Sequence, residues 1–203
     1  MPEFPYQAFV SLAYRLAMTF GIGVPLVLVV WASIRKENSI IRLLTIYWKV
    51  ATLLGISLLL LTDHRSVGYI TFLVAPILMS LSIWFWVDLN EELEDLPFWR
   101  PLPLTVKIWR WSLSFYSLIN SIIFIYSFNC LAIKGGNNCN YWLGFPNSIH
   151  SITQSLFGFL FGADWSKSLA AFLGYIFLIF YIVGLLQWIL IKLPKQGRIA
   201  GGF

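Results

Sequence analysis

Five of the chain's nine acidic residues lie within eight positions, in the stretch DLNEELED that follows Val87. If this stretch continues the apolar helix before it, four of the acids recur every three or four residues and share one helix face. They are Asp88, Glu91, Glu92 and Asp95. Pro97 should end the helix, because the residue before a proline resists the helical conformation. Such a face can hold a divalent cation, dock a basic partner or pair with cations of the same chain.

The acidic face destabilises its own helix in two ways. Like charges four residues apart repel each other, and negative charge near a helix C-terminus opposes the helix dipole. Compensation could come from Arg100, Lys107, Arg110 or the basic first loop, from a basic segment of a partner, or from a metal ion. The sequence leaves these three readings open. We take the four acids, with Arg100 in the proline-rich segment behind them, as predicted partner-binding residues.

The rest of the sequence carries no recognisable catalytic chemistry. It contains no nucleophile–base arrangement, no phosphate-binding glycine loop and no metal-ligand motif. The basic residues are scattered over the loops, which is not typical of a nucleic-acid-binding protein. We therefore predict no catalytic residues, no required cofactor and no metal site. Contact with chlorophyll or carotenoid is compatible with the aromatic-rich surface.

The composition predicts an integral membrane protein. Hydrophobic residues make up 59% of the 203 residues, charged residues only 11%, and the mean hydropathy is +0.77; soluble domains have about 25% charged residues. An all-α single domain over residues 1–203 is expected, with about five spanning helices of ~20 residues each. The predicted spans cover residues 16–34, 43–61, 67–87, 108–128 and 169–191.

The distribution of Lys and Arg predicts the orientation of these spans. Ten of the 14 basic residues fall on the side that holds the first loop, the third loop and the C-terminal tail, and four fall on the other side. Basic residues accumulate on the cytoplasmic side of membrane proteins. The C-terminus and the acidic stretch are therefore expected in the cytoplasm and the N-terminus outside.

The last outer loop holds both cysteines of the chain. Cys130 and Cys139 frame the turn-forming sequence GGNN, and an outer compartment permits disulfides. A disulfide between them is predicted, with two unlinked buried thiols as the alternative. Farther along the loop, the apolar run at residues 156–161 is too short to span a bilayer and predicts a short interfacial or re-entrant helix.

Three stretches, IYWKVA, WFWVDLNEELED and KLPKQGR, together resemble a family of small integral membrane proteins found mainly in cyanobacteria and described as a domain of unknown function. The resemblance implies a thylakoid membrane, or the plasma membrane of a cyanobacterium, and implies no reaction. We therefore expect a non-catalytic auxiliary or assembly factor that binds a photosystem-type membrane complex through the acidic helix and lipid-facing helices. The alternative is a small-molecule or ion permease, or a metal-dependent membrane enzyme that uses the acidic face.

Overall fold

The described part of the chain is built from helices alone. The computed structural model describes residues 6–97, 99–126, 137–162 and 164–200, and no strand occurs within them. This confirms the all-α prediction for those residues. The elements in chain order are α1 (Tyr6–Leu16), a first π-helical segment (Ala17–Gly23), α2 (Val24–Arg35), α3 (Asn38–Thr62), α4 (Ser66–Trp84), α5 (Val87–Glu94), α6 (Pro101–Tyr126), α7 (Asn137–Phe161), α8 (Lys167–Gln187), a second π-helical segment (Trp188–Lys192) and α9 (Leu193–Gln196).

Four helical stretches within the described residues are long and apolar enough to cross a membrane. They are Gln7–Arg35, Asn38–Thr62, Ser66–Trp84 and Lys167–Lys195. These overlap four of the predicted spans, although the first begins at Gln7 rather than at residue 16 and the third ends at Trp84 rather than at residue 87. The structure thus supports an integral membrane protein.

The predicted span over residues 108–128 is not confirmed. A helix is present there, α6, but it does not qualify as an apolar span within the described residues. Polar side chains such as Arg110 and Asn120 interrupt its apolar run, and residues 127 and 128 lie outside the described part. A fifth span and the orientation of the chain therefore stay predictions.

The helix in the last loop is longer than predicted. In place of a short helix near residues 156–161, α7 runs for 25 residues, from Asn137 to Phe161. Its first half packs on the bundle through buried Trp142, whose backbone carbonyl accepts a hydrogen bond from Tyr14 at 2.6 Å. Its last residues remain exposed. Cys130 and the side chain of Cys139 lie outside the described residues, so the disulfide stays a prediction.

Helix α3 is the centre of the bundle and contacts α2, α4, α7 and α8. Helices α3 and α4 pack closely because Gly68 of α4 faces the backbone of α3. A Cβ at Gly68 would lie 2.9 Å from the Leu61 nitrogen. Helix α8 approaches α3 at Gly174, where a Cβ would lie 3.1 Å from the Leu60 side chain. Small residues at helix crossings allow this kind of approach in membrane proteins.

The first π-helical segment is stabilised by two aromatic side chains from other helices. The Tyr47 hydroxyl donates to the Gly21 carbonyl at 2.6 Å, and the Trp109 indole donates to the Phe20 carbonyl at 2.9 Å. The two rings also meet edge to face at 5.0 Å. Carbonyls released by the wider helical turn are therefore satisfied within the bundle.

Candidate interaction site at the acidic end of the bundle

The chain breaks its helix between α4 and the acidic stretch. Helix α4 ends at Trp84, Trp86 is extended (φ −85°, ψ 113°), and α5 begins at Val87. The prediction of one continuous helix is therefore wrong at this point. The break places Asp88 in the first turn of a new helix, where negative charge is favourable to the helix dipole, instead of near the C-terminal end of an old one.

Three side chains satisfy the carbonyl groups that the break leaves open. Arg110 Nη2 donates to the Ile83 carbonyl at 2.8 Å, Asn90 Nδ2 to the Trp84 carbonyl at 3.0 Å, and Arg198 Nε to the Phe85 carbonyl at 2.8 Å. The Arg110 guanidinium also donates to the Asn90 side-chain oxygen and lies over the Trp84 ring at 4.0 Å. Cations at a helix C-terminus complement its dipole. These three side chains explain why the chain turns here.

The C-terminal tail closes over the break. The Arg198 carbonyl accepts from the Val87 nitrogen at 3.2 Å, and the Ala200 nitrogen donates to Asp88 Oδ2 at 2.9 Å. Ala200 itself is buried. Trp188, at the start of the second π-helical segment, lies edge-on against both Phe85 and Trp86 with ring centroids 5.7 Å apart. Two of the stretches that carry the family resemblance thus contact each other directly.

Glu92 anchors α5 to the start of α3. Its carboxylate accepts a hydrogen bond from Ser39 Oγ at 2.5 Å and from Arg42 Nη2 at 2.6 Å. The hydrogen bond from Arg42 and then that from Ser39 lower the pKa of the Glu92 carboxyl below its ordinary value of 4.5. Both ends of α5 are therefore fixed, by the tail at Asp88 and by α3 at Glu92.

Acidification should release this anchor. Since the pKa of Glu92 is lower in the folded protein than in the unfolded chain, the pair stabilises the fold fully above about pH 4.5 and is lost as the pH falls through the folded pKa. The melting temperature of the protein in detergent, followed from about pH 7 to about pH 3, should fall less steeply for Glu92→Gln than for the wild type. The effect is modest because the pair is partly exposed. Equal slopes would show that this pair does not contribute.

The remaining acids of the stretch, in α5 and at its C-cap, face outward. Glu91, Glu94 and Asp95 are exposed and lie on one helix face, and no hydrogen bond or ion pair from another described residue reaches their carboxylates. Arg100, the predicted basic member of the set, instead pairs with Glu37 at 3.6 Å. The predicted face of four acids is therefore divided: Asp88 and Glu92 are used internally, and Glu94, which the spacing argument left out, joins Glu91 and Asp95. We call these three residues the outer acidic face.

The described residues of this region form no set of metal ligands. Among the described residues, no group of three or more His, Cys, Asp or Glu side chains is arranged to hold a metal ion.

An apolar groove of about 570 Å³ adjoins the break, between α3, α4 and α8. Its lining includes members of all three stretches that carry the family resemblance. They are Ile46, Lys49 and Val50 from IYWKVA, Phe85 and Trp86 from WFWVDLNEELED, and Lys192 from KLPKQGR. We call this feature the lysine-rimmed groove. Segments that lie far apart in the sequence thus meet at one end of the bundle.

Sequence reasoning missed the residues that build the break. Asn90 sits inside the acidic stretch, and Arg198 lies in the tail, so neither has a spacing that reveals its partner. The signal for Arg110 was available: a fully charged side chain three residues into a predicted span requires a partner. In the structure Arg110 is buried, and its hydrogen-bond partners are the Ile83 carbonyl and the Asn90 side-chain oxygen rather than a carboxylate.

Of the comparisons with known proteins, the one with family models gives a match. No curated protein and no solved structure shows significant similarity to this chain. The model of one protein family, described as "Protein of unknown function (DUF3177)", matches residues 7–201. Because that match covers nearly the whole sequence, the chain belongs to the DUF3177 family.

Proposed function

We propose that this protein is a non-catalytic membrane auxiliary or assembly factor that docks onto another integral membrane protein through its outer acidic face. One observation carries the proposal. Asp88 and Glu92 hold α5 in a fixed position, and Glu91, Glu94 and Asp95 are presented together without a hydrogen bond or ion pair from another described residue, although Glu94 interacts electrostatically with Arg110. A rigid cluster of like charge favours a basic helix or loop of the partner and steers its approach.

An exposed tryptophan adjoins this face in the sequence. Trp99 lies four residues beyond Asp95, and 74% of its surface is exposed. Tryptophan is enriched among the residues that dominate binding energy at protein interfaces. The proposed contact therefore combines charge, which sets orientation and rate, with an aromatic anchor, which supplies affinity.

The kind of partner is inferred from the sequence resemblance. The resemblance to a cyanobacterial membrane family supports a photosystem-type complex as the partner. It also supports the thylakoid membrane, or the cyanobacterial plasma membrane, as the location. The outer acidic face would then lie on the cytoplasmic side, as the distribution of basic residues predicts.

Neutralising the outer acidic face should weaken partner recovery. The variant Glu91→Gln, Glu94→Gln, Asp95→Asn removes three charges without touching the two internal anchors. If each pair with the partner is worth about 0.5 kcal/mol, recovery affinity should fall about tenfold. The measurement is a gentle-detergent pull-down of the tagged protein from its native membranes, quantified by mass spectrometry.

The control is Asp164→Asn, which removes an exposed acid from another loop. The control should recover the partner at the wild-type level, and raising the salt concentration should weaken wild-type recovery. Unchanged recovery by the triple variant at wild-type protein levels would overturn the docking proposal. Recovery of a lone protein that moves a solute into liposomes would favour the permease instead.

A further inference from the structure

Tyr116 and Asn120 are buried polar side chains on one face of α6, four residues apart. Asn120 is fully buried and Tyr116 is 2% exposed. The Asn120 amide nitrogen, the Asn120 amide oxygen and the Tyr116 hydroxyl have no hydrogen-bond partner among the described residues. Buried polar groups are normally bonded to protein or to ordered water. The amide and the hydroxyl therefore indicate a ligand.

The neighbouring tyrosines do not serve as partners of Tyr116. The Tyr116 hydroxyl is close enough to those of Tyr14 and Tyr47 to interact with them electrostatically. However, Tyr14 donates its proton to the Trp142 carbonyl at 2.6 Å, and Tyr47 donates its proton to the Gly21 carbonyl at 2.6 Å. A hydroxyl group has only one proton to donate. Both neighbours are thus already committed to backbone carbonyls.

Two hydrogen bonds define how α4 and α6 lie side by side. Arg110 of α6 donates to the Ile83 carbonyl of α4 at 2.8 Å, and Ser80 of α4 donates to the Leu113 carbonyl of α6 at 3.3 Å. The second contact lies three residues farther along α6 and three residues farther back along α4. The two helices are therefore antiparallel, and a step forward on one matches an equal step back on the other.

This register brings Asn120 level with a proline of α4. Asn120 lies seven residues beyond Leu113, so the equal step back on α4 ends in the turn that precedes Pro76. Pro76 is buried inside α4. Because proline has no N–H, it cannot donate to the Phe72 carbonyl, which is its normal partner in a helix. That carbonyl lies near the middle of a spanning helix, far from both of its ends.

A ring contact supports the same placement. Phe124, one turn beyond Asn120, packs against the Trp142 ring with centroids 6.2 Å apart. Phe72 packs against the same ring with centroids 5.5 Å apart. The part of α6 that carries Asn120 and the part of α4 that carries Phe72 therefore face the same region of the bundle interior.

We propose that Tyr116, Asn120 and the Phe72 carbonyl bind ordered water at the centre of the bundle. These groups supply donors as well as acceptors and carry no net charge, which fits water and provides no counter-charge for an ion. A buried water makes about three hydrogen bonds to polar groups, and this set provides that number. Ordered water commonly satisfies carbonyls that prolines release in spanning helices. The site is independent of the outer acidic face.

Radiolytic footprinting of the purified full-length protein tests the proposal. X-rays convert bound water into hydroxyl radicals in place, so a side chain beside bound water is labelled even when it is buried. Trp109 is the internal reference, because it is equally buried, its N–H bonds to the Phe20 carbonyl, and tryptophan reacts with these radicals at least as readily as tyrosine. Mass spectrometry should find Tyr116 labelled several times faster than Trp109. Equally slow labelling of both residues would overturn the proposal.

Two substitutions on α6 locate the water. Asn120→Leu keeps a side chain of similar size but removes both polar atoms, so labelling of Tyr116 should fall to the level of Trp109. Ser121→Ala is the control, because the Ser121 hydroxyl bonds to the Ser117 carbonyl of its own helix at 2.8 Å. It should leave the labelling of Tyr116 unchanged. Full labelling of Tyr116 in a folded Asn120→Leu variant would contradict the assignment.

A measurement on the wild type alone separates bound water from transient opening of the bundle. The protein is mixed rapidly with heavy-oxygen water and irradiated after increasing delays. Bound water should exchange slowly, so the label on Tyr116 should acquire heavy oxygen later than the label on the exposed side chain of Trp99. Simultaneous uptake at both residues would mean that Tyr116 is labelled by bulk water, and the proposal would fail.

Discussion

Replacing Arg110 with methionine is expected to lower the free energy of unfolding by about 3 kcal/mol, because hydrogen bonds to charged groups contribute about 1.5–3 kcal/mol and a buried partner left unsatisfied costs more. Arg110 is buried and joins the Ile83 carbonyl to the Asn90 side chain. Methionine fills similar volume but donates to neither acceptor. The backbone at the break between α4 and α5 should then become less ordered, and α5 should become mobile. Unfolding in mixed micelles, followed by circular dichroism, measures the loss.

The control for this change is Lys107→Met, one turn earlier on α6 and exposed. It removes the same charge and adds the same apolar side chain, so its stability should stay within about 0.5 kcal/mol of the wild type. Hydrogen exchange of the α5 amides should rise in Arg110→Met only. A variant as stable as the wild type would show that the break does not depend on Arg110.

Gly68→Ala is expected to destabilise the α3–α4 hairpin by about 2 kcal/mol, because overpacking a close contact typically costs 1–3 kcal/mol. The added methyl would lie 2.9 Å from the Leu61 nitrogen and 3.0 Å from the Leu60 carbonyl carbon. Both are backbone atoms, which cannot move aside as a flexible side chain can. The two central helices would have to separate, and the unfolding measurement should show the cost.

Gly55→Ala is the matched substitution on the neighbouring helix. Its Cβ meets nothing within 4 Å, and alanine has a higher helix propensity than glycine by up to about 1 kcal/mol. This control should therefore be as stable as the wild type or slightly more stable. If both glycine variants behaved alike, the close approach at Gly68 would not limit the packing of the hairpin.

The spanning helices could be predicted because the bilayer imposes a length and a composition on each of them. Four predicted spans match apolar helices in the structure. The two exceptions have different physical causes. Helix α6 is interrupted by Arg110, Asn120 and several serines, which lower its hydropathy. Helix α7 is long because Trp142 and its neighbours pack on the bundle, and hydropathy alone does not register that effect.

The candidate site could be predicted only in outline. The density of acids drew attention to this segment, and their spacing grouped them as though one uninterrupted helix ran through them. The break changes which acids face outward, and it depends on Arg198, more than 100 residues away. Contacts between such distant segments leave no periodic pattern in a single sequence. The partner of Glu92, in contrast, is Arg42 at the start of α3, one of the basic residues that the prediction had placed in the first loop as possible compensation.

Site-specific photo-crosslinking in native membranes tests the central claim most directly. A photoreactive amino acid is placed at position 91 or 95, on the outer acidic face, and at position 63 as a control elsewhere on the surface. Docking through this face predicts one discrete cross-linked membrane protein from positions 91 and 95. That product should be absent from position 63 and weaker at high salt. The account would be contradicted if no cross-link formed at position 91 or at position 95 in membranes from which the wild type still recovers its partner.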